Sequence, residues 1–389
     1  MALPSEFESK IKRRLEQIES AGLTRQLSEP SGVDLSSNDY LLLSKHPLVK
    51  ARMAAAILDH GAGSTASRLL RVRQKPFEEV ETRFARFKQS ERSLYFGSGY
   101  AANLAVLSTF LEKGDLVFSD QLNHASLIDG IRLSKADKRI FPHCDVKALR
   151  EMLGSAEGTG ERFIVSESLF GMDGDKAPLR KYVDLCAETG AVLIVDEAHA
   201  VGLYGERGTG LIEQAGLDNA KIISINPAGK ALGVGGAFVA GPAWAIEYLV
   251  QRARTFIFST APPPAMADAL TASLDVIENE PERRLAVGQK SALFRQLLIE
   301  NGFEVEQSDS PVIPVVIGDN EVTLAAAAEL QALGYDIRAI RPPTVPEGTA
   351  RLRISVNCGL TEEVIRSFVK SLTNVISTIE SKSCSVASL

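Results

Sequence analysis

The chain has only four cysteines in 389 residues, and Cys144, Cys186, Cys358 and Cys384 show no CxxC or other metal-ligand spacing. They read as reduced thiols of a cytosolic protein, which argues against a disulfide scaffold or a zinc module. No apolar run approaches the roughly 20 residues of a membrane span. The first residues are rich in Glu, Lys and Arg and lack the apolar core of a signal peptide. Nor is there a positive excess: the net charge is -6, so no broad attraction to nucleic acid or anionic membrane is expected. Internal repeats and low-complexity segments are missing too. What remains is ordinary globular composition, 45% hydrophobic and 24% charged. The length calls for two domains, or one large α/β domain with an appended lobe.

One stretch organises the rest. Ser224-Ile225-Asn226-Pro227-Ala228-Gly229-Lys230-Ala231-Leu232-Gly233 follows an apolar run and precedes another, Ala237-Phe238-Val239-Ala240. A lysine held on a small-residue bend between buried strands suits Schiff-base chemistry, if its pKa is lowered. A solvated turn lysine is the plainer reading of this stretch by itself.

Upstream, apolar residues at Phe7, Ile11, Leu15 and Ile18 predict an amphipathic helix over 5–21 with Gly22 as its C-cap. That helix needs something to pack on, such as a partner subunit. His46-Pro47 opens a helix to about 60, and neither His46 nor His60 is assigned chemistry. A helix spans 75–89. The strand 93–96 then leads through Gly97-Ser98-Gly99-Tyr100 into the apolar helix 101–111. Strand, glycine turn and helix aim free backbone N–H groups at an anion such as a phosphate, although a lone GxG is better explained by an ordinary tight turn.

Strands then alternate with helices. Strands are expected at 115–120, 139–142, 162–168 and 191–195, with helices opening at 123–126 and spanning 146–153 and 179–189. This predicts a mostly parallel sheet with helices on both faces. Ligands bind such sheets beyond the carboxyl ends of the strands. Gly99, Tyr100, His124, Asp196, His199 and Lys230 all fall at such ends or in adjoining loops. Beyond a break at 256–264, a long helical region over 265–301, strands at 312–317 and 351–356, and helices at 322–333 and 361–379 describe a smaller α+β lobe. The expected domains are an N-terminal arm (1–45), a large domain (46–275), a small domain (276–380) and a disordered tail (381–389).

A phosphate cradle, a carboxylate at a strand end and a Schiff-base lysine together specify pyridoxal 5'-phosphate. Asp196 ends a strand too apolar to leave a carboxylate without a partner, and a pyridinium nitrogen would be that partner. A structural salt bridge is the alternative.

The ordered motifs resemble the α-oxoamine synthases, fold-type I pyridoxal-phosphate enzymes, over essentially the whole chain. They are Ser37-Asn38-Asp39-Tyr40-Leu41, Gly63-Ser64-Thr65-Ala66-Ser67-Arg68-Leu69, Gly97-Ser98-Gly99-Tyr100, Asp196-Glu197-Ala198-His199, Gly229-Lys230-Ala231-Leu232-Gly233 and Phe256-Ile257-Phe258-Ser259-Thr260. The resemblance implies an α/β fold with a large, seven-stranded-type, mostly parallel sheet and a smaller C-terminal domain. It implies a cytoplasmic homodimer with sites between subunits. Lys230 would carry the cofactor and act as the base at Cα, Asp196 would pair with the ring nitrogen, His199 would bond the ring hydroxyl, and His124 would stack on the ring. Gly99 and Tyr100 would lie beside the cofactor. Arg353 would clamp the amino-acid carboxylate, Thr344 would face the substrate, and Arg25 matches an N-terminal arginine near the acyl substrate. Within the family, Arg341-Pro342-Pro343-Thr344-Val345-Pro346 is most like the branch that joins L-alanine to pimeloyl-CoA or a pimeloyl-acyl carrier protein on the way to biotin. Branches using glycine with acetyl-CoA, glycine with succinyl-CoA or serine with palmitoyl-CoA stay open, as does a weakly active cofactor-binding homologue.

Three positions depart from the family's pattern. Pro227 replaces a hydroxyl residue that bonds the phosphate, three before the lysine. Losing that bond costs about 1.5–3 kcal/mol of cofactor affinity unless Thr260 of a partner copy or a water compensates. Gly171 replaces a serine, and Asn357-Cys358-Gly359-Leu360 replaces a small-residue and His segment.

Overall fold

The computed structural model describes residues 5–25, 27, 29–72 and 74–386, apart from the side chains of 380 and 382–386. In chain order the strands are β1 (Val33–Asp34), β2 (Arg92–Phe96), β3 (Leu116–Asp120), β4 (Asp137–Phe141), β5 (Arg162–Glu167), β6 (Val192–Asp196), β7 (Ile223–Pro227), β8 (Ala237–Gly241), β9 (Val312–Gly318), β10 (Tyr335–Asp336), β11 (Ala339–Ile340) and β12 (Ala350–Ser355). They belong to two compact units. One is Asn38–Gly288 with Asn357–Gly359; the other joins the chain before Asn38 to Gln289–Val356 and the stretch from Leu360. These limits differ from the expected boundaries at 45 and 275. The early segment groups with the C-terminal one because β1 pairs in parallel with β10, Val33 opposite Tyr335.

The larger unit is built on a seven-stranded sheet in the order β2-β8-β7-β6-β5-β3-β4. Only β8 runs antiparallel to its neighbours; the other pairs are parallel, as the alternation of strands and helices predicts. Helices cover both faces, so a central strand is apolar on both sides. Along β6, Ile194 packs into one cluster with Phe96, Val117 and Ile225. Its neighbours Leu193 and Val195 pack into the opposite cluster with Phe118, Ile164 and Tyr182. Each fully buried large apolar side chain contributes roughly 1.5–3 kcal/mol. Polar residues are therefore tolerated chiefly at the strand ends, where the site lies.

The smaller unit has the antiparallel sheet β11-β12-β9. Its core gathers Phe294, Ile313, Val315, Leu352, Ile354 and Phe368. The expected helix over 265–301 is two helices, Pro264–Asn279 and Glu282–Glu300. Pro281 lies between them and lacks the N–H that would continue the first. The last helix, Glu362–Val386, runs through most of the expected tail; 387–389 lie outside the described residues. The first helix, Ser5–Ser20, ends as predicted at a left-handed glycine, Gly22 at φ 65°, with Leu23 N–H on Ile18 C=O at 2.9 Å. Its apolar residues Phe7, Leu15 and Ile18 are exposed in the single chain. Among the described residues, no helix is long and apolar enough to cross a membrane. Cys144, Cys186 and Cys358 carry free thiols.

Candidate active site

Three neighbouring strands end together. The register sets Glu167 of β5 opposite Asp196 of β6, and Asp196 opposite Ile225 of β7. Pro227 closes β7, and a compact turn follows, with Ala228 N–H on Gly236 C=O at 2.8 Å and Gly233 N–H on Lys230 C=O at 2.9 Å. Gly233 has φ 69° and lies against the backbone of Leu43 and Ser44, where a Cβ would sit 2.4 Å from Ser44 N. The close approach requires glycine at this position.

These strand ends border a cavity of about 360 Å³. Lys230, Asp196, His199, His124, Gly99, Tyr100 and Pro227 line it, together with Asn38, Asn103, Ser126 and Glu167. Seven residues named from the sequence thus converge within one unit. Thr260 is exposed and does not line this cavity. Gly171 lies behind its wall: a Cβ there would sit 2.3 Å from His199 Nε2.

Hydrogen bonds fix the floor. Asp196 is buried; Oδ1 accepts from Ala198 N–H at 2.9 Å and Oδ2 from Asn103 Nδ2 at 2.8 Å. The Asn103 amide also donates to Ser126 Oγ at 2.8 Å, and Ser126 Oγ lies 2.7 Å from His124 Nδ1. His124 caps the helix Ala125–Ser134, and its own N–H donates to Glu167 Oε1 at 2.8 Å. Burial holds the His124 imidazole below its usual pKa, with the Asp196 charge opposing and the Lys230 charge reinforcing that shift. Burial, followed by the charge of Asp196, raises the Glu167 carboxyl to about 8. Asn103, Ser126, Glu167, Asn38 and Tyr40 were not singled out as site residues from the sequence. Glu167 could have been, since it ends an apolar strand just as Asp196 does.

The rim is a helix N-terminus. Ser98 caps Gly99–Phe110 through Ala101 N–H at 3.1 Å, leaving first-turn N–H groups directed outward. A Cβ at Gly99 would meet Pro227 Cγ at 2.8 Å, so only glycine lets the proline ring close against the turn. The Tyr100 hydroxyl bonds Asp129 on the next helix.

This donor set fits pyridoxal phosphate. A buried carboxylate without a cation is costly. Among the described residues, none stands within ion-pair distance of Asp196. The buried Asn103 Oδ1 also lacks a hydrogen-bond partner. A ring with a protonated nitrogen answers the first need, and the helix N-terminus offers N–H groups for a phosphate.

In the other unit, Arg25 and Thr344 border a second cavity of about 690 Å³, along with Arg338 and Arg341. Arg341 bonds the carbonyls of Gly22 and Thr24. Arg353 is not among the residues lining it. That arginine is buried on β12 and donates to Ser355 Oγ at 2.7 Å.

Comparison with known proteins identifies the family. Residues 30–372 match the family of aminotransferase class I and II. An 8-amino-7-oxononanoate synthase from Anaeromyxobacter dehalogenans is 43% identical over 94% of this chain and 95% of that protein. A putative 8-amino-7-oxononanoate synthase from Geobacillus kaustophilus is 42% identical over 92% of this chain and 93% of that one. Among solved structures, a serine palmitoyltransferase from S. paucimobilis with a bound PLP–myriocin aldimine overlays with a TM-score of 0.89 at 27% identity, covering 98% of this chain and 100% of that one. The 8-amino-7-oxononanoate synthase of Francisella tularensis overlays at 0.78 and 29% identity, covering 90% and 99%. The chain therefore belongs to the aminotransferase class I and II family, in its pyridoxal-phosphate-dependent α-oxoamine synthase branch.

Proposed function

We propose that this protein joins L-alanine to a pimeloyl thioester, carried on CoA or an acyl carrier protein, to give 8-amino-7-oxononanoate, CO₂ and the free thiol. The observation that carries the reading is the convergence of Lys230, Asp196, His124 and His199 on one cavity at the carboxyl ends of parallel strands. Fold overlap alone would favour a serine palmitoyltransferase, whose TM-score is higher. The relatives at 42–43% identity favour the alanine branch, although the solved structures of the two branches stand at 29% and 27%. Substrate choice rests on side chains, not on backbone overlap.

Pyridoxal phosphate, when bound, supplies the electron sink that stabilises negative charge at the alanine Cα. Lys230 would anchor it covalently, Asp196 would keep its ring nitrogen protonated, His199 would bond its hydroxyl, and His124 would cover its face as a neutral imidazole. Gly99, Tyr100 and the helix start at Ser98 would hold the phosphate. Pro227 would contribute shape and no hydrogen bond, so the phosphate has one donor fewer unless Thr260 of a partner copy or a water supplies it. Gly171 contributes space beside His199.

Arg353 binds the alanine carboxylate as a two-pronged donor. The Lys230 amine, released when the alanine amine takes its place, takes the proton from Cα. A bond forms between Cα and the thioester carbonyl carbon, and the thiolate leaves. The alanine carboxyl then departs as CO₂, and Lys230 returns a proton to Cα. Arg25 and Thr344 receive the acyl chain, whose far carboxylate suits an arginine. We further propose a cytoplasmic homodimer, which would cover the exposed apolar face of Ser5–Ser20.

The test is thiol release by the holoenzyme from a panel of alanine, glycine and serine against pimeloyl, acetyl, succinyl and palmitoyl thioesters. Alanine with a pimeloyl thioester should be fastest. Preference for any other pair would reassign the substrates.

A further inference from the structure

We propose that Tyr40 is a positioning residue that sets the tautomer of His199, holding it protonated on Nδ1 and leaving Nε2 as the basic nitrogen. This rests on the reading that His199 borders the cofactor. Tyr40 is fully buried, and its hydroxyl lies 2.7 Å from His199 Nδ1. The same hydroxyl donates to Asn38 Oδ1 at 3.1 Å. Asn38 and His199 both line the cavity, whereas Tyr40 does not.

A phenol has one proton to give. Since Tyr40 gives it to the carbonyl oxygen of Asn38, the contact with His199 needs its proton from the imidazole. The chain then runs His199 Nδ1–H to the Tyr40 oxygen, and Tyr40 O–H to Asn38, and each contact carries a proton. With the Asn38 amide presenting Oδ1 to the phenol, reversing the first link would leave two oxygens facing each other with no hydrogen between them, a buried contact that costs free energy. The hydrogen bond on one imidazole nitrogen decides the state of the other.

The opposite edge of the ring supports the assignment. Nε2 faces Gly171, where a Cβ would lie 2.3 Å away. Any larger residue at 171 would press on this edge of the ring, so glycine leaves the room for a ligand hydroxyl to share a proton with Nε2. Asn38 and Tyr40 thus gain a role through His199, and the glycine in place of a larger residue gains a reason.

Tautomers are read directly from long-range ¹H–¹⁵N spectra of the full-length protein labelled with ¹⁵N-histidine, with the cofactor removed. His199 in the wild type should show a protonated Nδ1 and a bare Nε2. Tyr40→Phe keeps the ring and removes the relay, so His199 should shift to the Nε2–H form. A wild-type His199 already in the Nε2–H form, or an unchanged Nδ1–H form in Tyr40→Phe, overturns the proposal. If Tyr40→Phe does not fold, Asn38→Leu serves: without the terminal acceptor the phenol proton turns to Nδ1, and Nε2–H should appear. Persistence of Nδ1–H there also overturns it. Adding pyridoxal phosphate to the wild type should move the His199 signals. Signals that stay still while Nδ1–H persists would contradict the cofactor reading and leave the tautomer assignment standing.

Discussion

Pro227 closes its ring over Gly99, with 2.8 Å between Cγ and the place a Cβ would occupy on the glycine. The rim of the cavity therefore has little room for change. Gly99→Ala should push the turn and the proline apart and weaken pyridoxal phosphate binding at least tenfold, about 1.4 kcal/mol. Equilibrium titration of the apoprotein, followed by the visible band of the bound cofactor, measures it.

Pro227→Thr restores a hydroxyl beside the rim. It should tighten cofactor binding by about tenfold to a hundredfold, the range of one hydrogen bond to a charged group. An unchanged dissociation constant would mean that the phosphate is already saturated with donors.

Lys88 and Glu197 form an ion pair with both side chains wholly buried. Glu197 Oε1 also accepts from Leu211 N–H at 2.7 Å and Ile212 N–H at 3.1 Å, so the carboxylate anchors the loop that follows Asp196. Lys88→Met leaves a buried charge uncompensated and should destabilise the protein by about 3–5 kcal/mol. Urea denaturation of variant and wild type tests this. Lys88→Met with Glu197→Gln together should recover part of the loss.

His143 lies between two carboxylates, with Nδ1 at 2.8 Å from Asp120 and Nε2 at 2.7 Å from Asp175. Burial alone would lower its pKa, but the hydrogen bonds to Asp120 and Asp175 outweigh it and push the value up to about 12. The raised value means that its contribution to stability is fully present below the ordinary histidine pKa of about 6.5 and is lost as pH rises through about 12. His143 should remain protonated at pH 9 by NMR titration, when exposed histidines are neutral.

Glu167 has the opposite sense for a carboxyl. Its pKa is raised to about 8, so the folded apoprotein holds a proton that the unfolded chain releases near the ordinary carboxyl value. Its influence should make the apoprotein lose stability as pH climbs from about 4.5 to about 8. Glu167→Gln should flatten that slope in thermal melts.

Much of this was legible in the residues themselves. The alternation of apolar strands with helices predicts the parallel sheet, and Asp196, His124, His199 and Lys230 meet where strand ends were expected to place them. The resemblance to a known family supplied the residue roles. Other features left no sequence signal. The pairing of β1 with β10 joins segments about 300 residues apart through two residues each, too short for any periodicity to register. Pro281 breaks a helix that the apolar pattern carries straight through. His143 and Tyr40 act through contacts between side chains far apart in the chain, and spacing does not reveal such contacts.

The central claim is that alanine is acylated at Cα and then loses its own carboxyl group. Supplying the holoenzyme with L-[1-¹³C]alanine and a pimeloyl thioester tests it most directly by mass spectrometry. The account predicts ¹³CO₂ in step with thiol release and an unlabelled 8-amino-7-oxononanoate, both abolished in Lys230→Ala. Label retained in an organic product, or equal turnover by the lysine variant, would contradict it.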